Sequence, residues 1–267
     1  MKLDGDQLAA YIKERHAQQV AALAVRPKLA IVMHEQAGAA TRSYVERTKR
    51  GYAHDIGAEA DIYELSSDQT AVIKRIRQLN DDRSVHGIIV QLPFPGVEVN
   101  EVLGAVSPHK DIDGLGPNAD FDMPTPKAIL WLLAAYNIDY RDKQIAVVGQ
   151  GRLVGAPLAD MLEASGGTVV RADSGTGDLR AVTLAADIVV SATGQPKLIR
   201  PDMVRSGTVI IGAGTSDVEG PVKGDLDKAL YNDDSLSIAR NTGGVGPVTV
   251  SALFDNLLIA TEQQTAS

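Results

Sequence analysis

Apolar positions recur along the chain in two alternating rhythms, one helical and one extended. Over residues 7–24, Leu8, Ile12, Val20 and Leu23 fall on one face at helical spacing, and the apolar run 28–33 predicts a strand. A helix over 42–56, a strand over 60–65, a helix over 70–79 and a fully buried strand over 87–92 follow. This alternation predicts a parallel, doubly wound sheet. Between Gln91 and Pro126 the rhythm breaks, with Pro93, Pro95, Pro108, Pro117, Pro124 and Pro126 interleaved with Gly and Asp. An irregular stretch of this length is more often functional than connective. After a helix over 128–136, a strand over 144–148 opens a second βα series, with strands near 168–172, 187–191 and 208–211. A last helix over 247–261 follows a glycine-rich loop and is expected to pack back on the first domain. The expected fold is therefore α/β with two domains. Residues 1–122 with the terminal segment 247–267 form an αβ domain, and residues 123–246 form a Rossmann-type dinucleotide domain.

The 267 residues, 44% hydrophobic, suffice for one large core or two modest ones. A formal net charge of −8 argues against nucleic-acid or anionic-membrane partners, because binding phosphate needs a basic field. Cysteine is absent, which removes disulfides, thiolate metal sites and cysteine nucleophiles. The histidines at 16, 34, 54, 86 and 109 show no ligand spacing, so they read as surface or packing residues and no metal is expected. The opening residues lack the apolar core of a signal peptide, and no apolar run is long enough for a bilayer. A cytoplasmic small-molecule enzyme is the expectation.

Gly149-Gln150-Gly151-Arg152-Leu153-Val154-Gly155 lies where a strand ends and a helix starts, the place where glycines let backbone N–H groups approach a pyrophosphate. The next strand ends in Arg171-Ala172-Asp173-Ser174, and an acid about 20 residues beyond the glycines is the usual acceptor for a ribose 2′-hydroxyl. That favours NAD. Arg152 and Arg171 would equally neutralise the 2′-phosphate of NADP, and Asp173 also reads as a helix cap or turn residue, so NADP or NAD remains the expectation.

Val45, Lys49, Tyr52, Ala53 and Ile56 fall at i, i+4, i+7, i+8 and i+11, so Lys49 interrupts the apolar face of its helix. Such a lysine is either desolvated, with a pKa lowered toward the range useful in acid–base catalysis, or a surface residue whose stem snorkels over apolar neighbours.

Six ordered segments carry a resemblance: Leu3-Asp4-Gly5, Val90-Gln91-Leu92-Pro93-Phe94-Pro95, Pro108-His109-Lys110-Asp111-Ile112-Asp113-Gly114, Pro124-Thr125-Pro126, Gly224-Asp225-Leu226-Asp227, and Gly243-Gly244-Val245-Gly246-Pro247-Val248-Thr249. Together they resemble the bifunctional methylenetetrahydrofolate dehydrogenase/methenyltetrahydrofolate cyclohydrolases, the FolD family, through nearly the whole chain. The resemblance implies a folate held in an interdomain cleft and a homodimer supplying one-carbon units, purine biosynthesis among their uses. It implies oxidation of 5,10-methylenetetrahydrofolate with NAD or NADP, then hydrolysis to 10-formyltetrahydrofolate. Lys49 becomes the proton-transfer group, tuned by Gln91; Asp113 bonds the pterin; Tyr44 shapes the site; Gly243, Gly244 and Pro247 lie near the folate. Gly149, Gln150, Gly151, Arg152, Gly155, Asp173, Ser174 and Thr215 become cofactor residues. A monofunctional dehydrogenase, a shikimate-dehydrogenase-like enzyme and a non-catalytic folate- or nucleotide-binding paralogue are the competing readings.

The resemblance departs at one place that matters geometrically. Family members carry a tyrosine four residues before the lysine, whereas Tyr44 precedes Lys49 by five. In a regular α-helix a five-residue step turns the two side chains about 140° apart, against about 40° for four. Either Val45 takes the tyrosine's place or the extra residue is absorbed, and a π-bulge between Tyr44 and Lys49 is the expected device.

Overall fold

The computed structural model describes residues 1–216 and 223–266, and they group into two compact units. The first comprises Ala10–Pro124 and Val250–Ser267, the second Met1–Ala9 and Thr125–Thr249.

Helix α1 (Gly5–Ala22) leads into β1 (Lys28–His34), an apolar strand buried from Leu29 to His34. Such a strand belongs in the middle of a parallel sheet. It pairs in parallel with β2 (Glu59–Leu65) on one side and β3 (Gly87–Val90) on the other. Between β1 and β2 run α2 (Ala39–Tyr44), a π-helical segment Val45–Arg50, and α3 (Gly51–Ile56), which ends at Gly57 in the left-handed conformation. Helix α4 (Gln69–Asp81) is capped by the Asp68 carboxylate accepting from Ala71 N, and buries Val72, Ile76 and Leu79.

Successive residues of β1 feed opposite faces of the sheet. Ala30 and Val32 pack with α4, while Leu29 and Ile31 pack with Val45, Tyr52 and Ile56. Helix α9 (Val245–Thr265) joins that second layer through Leu253, Phe254 and Leu257, so the terminal helix does pack against the first sheet.

The irregular stretch contains α5 (Val99–Gly104) and a 3-10 turn, Pro108–Lys110, and side-chain bonds to α4 and α9 hold it in place. Lys110, only 3% exposed, donates from Nζ to the carbonyls of Leu79 (3.1 Å), Asn80 (2.7 Å) and Asp82 (2.8 Å) at the end of α4. These are carbonyls that a helix C-terminus leaves without intrahelical donors, and a cation suits its dipole. Asn256 of α9 donates from Nδ2 to the carbonyls of Ile112 and Asp122, both at 2.9 Å, clasping the loop at two points.

In the second unit, after α6 (Pro124–Ala135), a five-stranded parallel sheet is built from β4 (Gln144–Val148), β5 (Thr168–Ala172), β6 (Ile188–Ser191), β7 (Val209–Gly212) and β10 (Ser237–Ala239), in the order β10-β7-β6-β4-β5. Helices α7 (Gly155–Ala164) and α8 (Leu179–Ala185) connect its strands, and a short antiparallel pair, β8 (Thr215–Ser216) with β9 (Lys223–Gly224), lies outside the expected rhythm. Strand order reverses at β4, the switch point where ligands of open α/β sheets bind.

The opening nine residues group with this second unit rather than with residues 10–122 as the sequence suggests. The reason is strand addition: Lys2 bridges Ile238, Leu3 N donates to Ile238 O (2.9 Å), and Ile238 N to Met1 O (2.8 Å), covering the open edge of β10. Among the described residues no helix is long and apolar enough to cross a membrane.

Lys110→Met removes the donor that three carbonyls share, and is expected to cost about 3 kcal/mol of folding stability. Urea denaturation measures it; a loss below about 0.5 kcal/mol, the level of an ordinary surface substitution, would contradict this anchoring role.

Candidate active site

Gln91 directly follows β3 and continues its ladder, its N–H donating to Val32 O at 2.8 Å. Its Nε2 donates to the Leu92 carbonyl (2.9 Å), which turns Oε1 the other way. That oxygen accepts from Lys49 Nζ at 2.9 Å. Lys49 is 7% exposed, which decides between the two sequence readings: this is a desolvated lysine rather than a snorkelling one. Burial pushes its ammonium below the ordinary lysine range, and the Asp113 carboxylate acts the other way. Asp113 shows the reciprocal behaviour, with burial pushing its carboxyl up and Lys49 opposing.

The loop presenting Asp113 is fixed by its neighbour. Asp111 is 4% exposed and bridges Ile88 of β3; its Oδ1 accepts from Gly114 N (3.1 Å) and its Oδ2 from Gly116 N (2.6 Å). Gly114 has φ +68°, a conformation that L side chains rarely adopt. Burial pushes the Asp111 carboxyl up, and these backbone N–H donors oppose it.

The π segment bears on where Tyr44 lies relative to Lys49. Gly51 N donates to Glu46 O, an i→i−5 bond. A π turn holds about one residue more than an α turn, so five residues across it sweep about the rotation of four in an α-helix. Val45 is fully buried in the core beneath the sheet and does not replace Tyr44. Tyr44 is 42% exposed; burial pushes its phenol pKa up, a side-chain hydrogen bond with Thr48 opposes, and the Asp113 charge adds to the rise. The Asp113 charge thus reaches both Tyr44 and Lys49. Within the first unit Lys49 and Gln91 meet directly, and the Asp113 carboxylate acts electrostatically on both Lys49 and Tyr44.

The remaining candidates belong to the second unit. Gly149 follows β4 with φ +94°, and a Cβ on Gly155 would stand 1.7 Å from the Gly149 carbonyl, so the strand–helix turn closes only around glycine. A Cβ on Gly151 would meet open space, leaving room for a ligand against the backbone ahead of α7. These residues fit a dinucleotide pyrophosphate. The Gln150 side chain turns inward, its Nε2 donating to Val147 O (2.9 Å). Arg152 is exposed in the glycine loop, and Asp173 and Ser174 are exposed after β5. The Thr215 side chain lies outside what the structure describes. Gly243, with φ +71°, sits against the Asp6 carboxylate, its carbonyl accepts from Gly5 N (2.8 Å), and the Gly244 carbonyl packs on Gly5. Pro247 stands in the first turn of α9.

Sequence reading missed Lys110, Asp111 and Asn256. Asp111 was discoverable, because an Asp followed three residues later by Gly is a turn signature. The partners of Lys110 and Asn256 are remote in sequence, and no local pattern announces them.

A turn that fits a dinucleotide in one α/β unit, and in the other a desolvated lysine bonded to an amide within the field of a carboxylate, point to a nucleotide-dependent enzyme. Comparison with known proteins narrows the class. The tetrahydrofolate dehydrogenase/cyclohydrolase catalytic-domain model matches residues 3–113, and the NAD(P)-binding-domain model of the same family matches residues 123–265. The bifunctional protein FolD of Macrococcus caseolyticus is 34% identical, covering 98% of this chain and 97% of that protein. The crystal structure of the bifunctional enzyme FolD from Campylobacter jejuni superposes with a TM-score of 0.93 at 32% identity, over 98% of this chain and 99% of that one. The Trypanosoma brucei methylenetetrahydrofolate dehydrogenase-cyclohydrolase, complexed with NADP and inhibitor, gives 0.92 at 30% identity, over 100% and 99%. The chain belongs to the tetrahydrofolate dehydrogenase/cyclohydrolase family.

Asp113→Asn removes the carboxylate that favours the Lys49 ammonium. The Lys49 amine is therefore expected to lose its proton at lower pH in the variant than in the parent, read from the 15Nζ chemical shift. A titration that stays in place or moves upward would contradict the electrostatic coupling.

Proposed function

We propose that the protein oxidises 5,10-methylenetetrahydrofolate to the 5,10-methenyl form with NAD or NADP and hydrolyses that product to 10-formyltetrahydrofolate. The observation that carries the reading is the buried Lys49 amine held by Gln91 beside Asp113.

A bound nicotinamide dinucleotide supplies the hydride acceptor for the first reaction. The turn at Gly149, Gly151 and Gly155 offers backbone N–H groups to its pyrophosphate. Asp113 holds the pterin ring, and its raised pKa suits a carboxyl that shares protons with ring nitrogens. Tyr44 supplies a partly exposed aromatic face on the same side, and Gly243, Gly244 and Pro247 bind folate from their loop.

In the second reaction, water adds to the methenyl carbon and loses one proton. Lys49 accepts it: burial lowers the pKa of the amine and so favours its neutral form, and Gln91 Oε1 orients it by accepting one of its N–H bonds. The adduct then collapses as the carbon–N5 bond breaks, the hydroxyl proton passes to N5, and the formyl group stays on N10. One proton is released overall. Residues 10–124 with 250–267 serve as the folate and catalytic domain, and 125–249 as the dinucleotide domain. The family resemblance supports a cytoplasmic homodimer whose product feeds purine biosynthesis.

Lys49→Met is expected to lower cyclohydrolase activity by about 10²–10⁴-fold while sparing much of the dehydrogenase. Reduced dinucleotide and the methenyl product, followed separately by absorbance, measure the two steps. Equal loss of both activities would contradict this division of labour. Parent enzyme that accumulates the methenyl product at its uncatalysed rate of hydrolysis would be a dehydrogenase alone.

A further inference from the structure

We propose that this enzyme selects NAD over NADP, with the Asp173 carboxylate accepting the ribose 2′-hydroxyl and excluding a 2′-phosphate. The inference rests on the dinucleotide-dependent dehydrogenase reading above and deepens it.

Three observations carry it. The end of β5 lies directly beside the glycine turn: Val148 pairs with Ala172, and Gly149 N donates to Ala172 O at 2.8 Å. Asp173, the next residue, is thereby placed at the edge of the switch point, where the adenosine ribose of a dinucleotide lies. Its Oδ1 accepts from Gly175 N (2.8 Å), and its own N–H donates to Thr176 Oγ1 (2.9 Å). This turn fixes the carboxylate at the exposed end of the strand.

Two of the nearby cations already face carboxylates. Arg171 Nη2 donates to Asp160 Oδ1 (2.6 Å) and Glu163 Oε2 (2.7 Å), both on α7, so two carboxylates surround the guanidinium that the sequence offered to a 2′-phosphate. Arg180, on the following helix, pairs with Asp202. Arg152 lies within the glycine loop, three residues ahead of α7, rather than at the strand end.

The charge balance at the end of β5 is therefore acidic. A 2′-phosphate adds nearly two negative charges beside a carboxylate, and such like-charge placement costs enough to exclude a ligand. A 2′-hydroxyl instead donates a charge-assisted hydrogen bond to the same oxygen.

The test is isothermal titration calorimetry of NAD⁺ and NADP⁺ into the purified full-length protein and three variants. The parent is expected to bind NAD⁺ at least tenfold more tightly than NADP⁺. Asp173→Asn keeps the turn acceptor and removes the charge, and is expected to raise NADP⁺ affinity several-fold; Asp173→Ser is expected to abolish the preference. The paired change Asp160→Asn with Glu163→Gln releases Arg171 and is expected to raise NADP⁺ affinity without weakening NAD⁺. Parent protein that binds NADP⁺ as tightly as NAD⁺, or a preference unchanged in both Asp173 variants, would overturn the inference while leaving the dehydrogenase reading intact. Parent protein that binds neither dinucleotide would overturn the underlying reading as well.

Discussion

An ammonium buried on the core-facing side of a helix costs several kcal/mol unless its surroundings are arranged for it. The architecture around β3 reads as that arrangement. Gln91 orients its carbonyl oxygen toward Lys49 because its amide nitrogen is spoken for by Leu92 O. Asp113 supplies a carboxylate whose position depends on Asp111 gathering the N–H groups of Gly114 and Gly116. Lys110 ties the same segment to the end of α4, and Asn256 clasps it from α9. The hydrogen bonds of Lys110 and Asn256 to remote carbonyls secure the loop that carries the carboxylate.

The second unit solves a different problem with backbone instead of side chains. Its turn after β4 brings a strand end and a helix start so close that a single methyl group on Gly155 would overlap the Gly149 carbonyl. Acidic charge is concentrated at the end of β5, where Asp160, Glu163 and Asp173 outweigh Arg171. In the proposed function, proton handling and dinucleotide binding fall to separate units with separate means, one a desolvated amine and the other oriented N–H groups. A change in one is expected to leave the chemistry of the other standing.

The sheets were legible because burial imposes a period. The continuous apolar runs of β1 and β3 announce strands covered on both faces, and Val72, Ile76 and Leu79 announce the core-facing side of α4. Lys49 was visible as a break in such a face, but periodicity alone does not tell desolvation from snorkelling; its contact with Gln91 does. The π turn was legible only because the Tyr44–Lys49 spacing could be set against a family pattern. The anchors were not legible, since Lys110 reaches carbonyls 28 to 31 residues away and Asn256 reaches across 134 and 144. The placement of Met1–Ala9 escaped for a related reason: joining the edge of β10 is a backbone event at a separation of more than 200 residues, with no side-chain signature.

The π segment Val45–Arg50 keeps Tyr44 and Lys49 on one side of the helix despite an extra residue between them. The most direct measurement removes that residue: deletion of the exposed Arg47 restores the four-residue spacing. The segment is then expected to relax to regular α-helix, with the Lys49 amine still titrating below the ordinary lysine range by 15Nζ NMR and both activities persisting within a few-fold. A folded deletion variant in which that lysine titrates as an ordinary surface amine and cyclohydrolase activity is lost would contradict it.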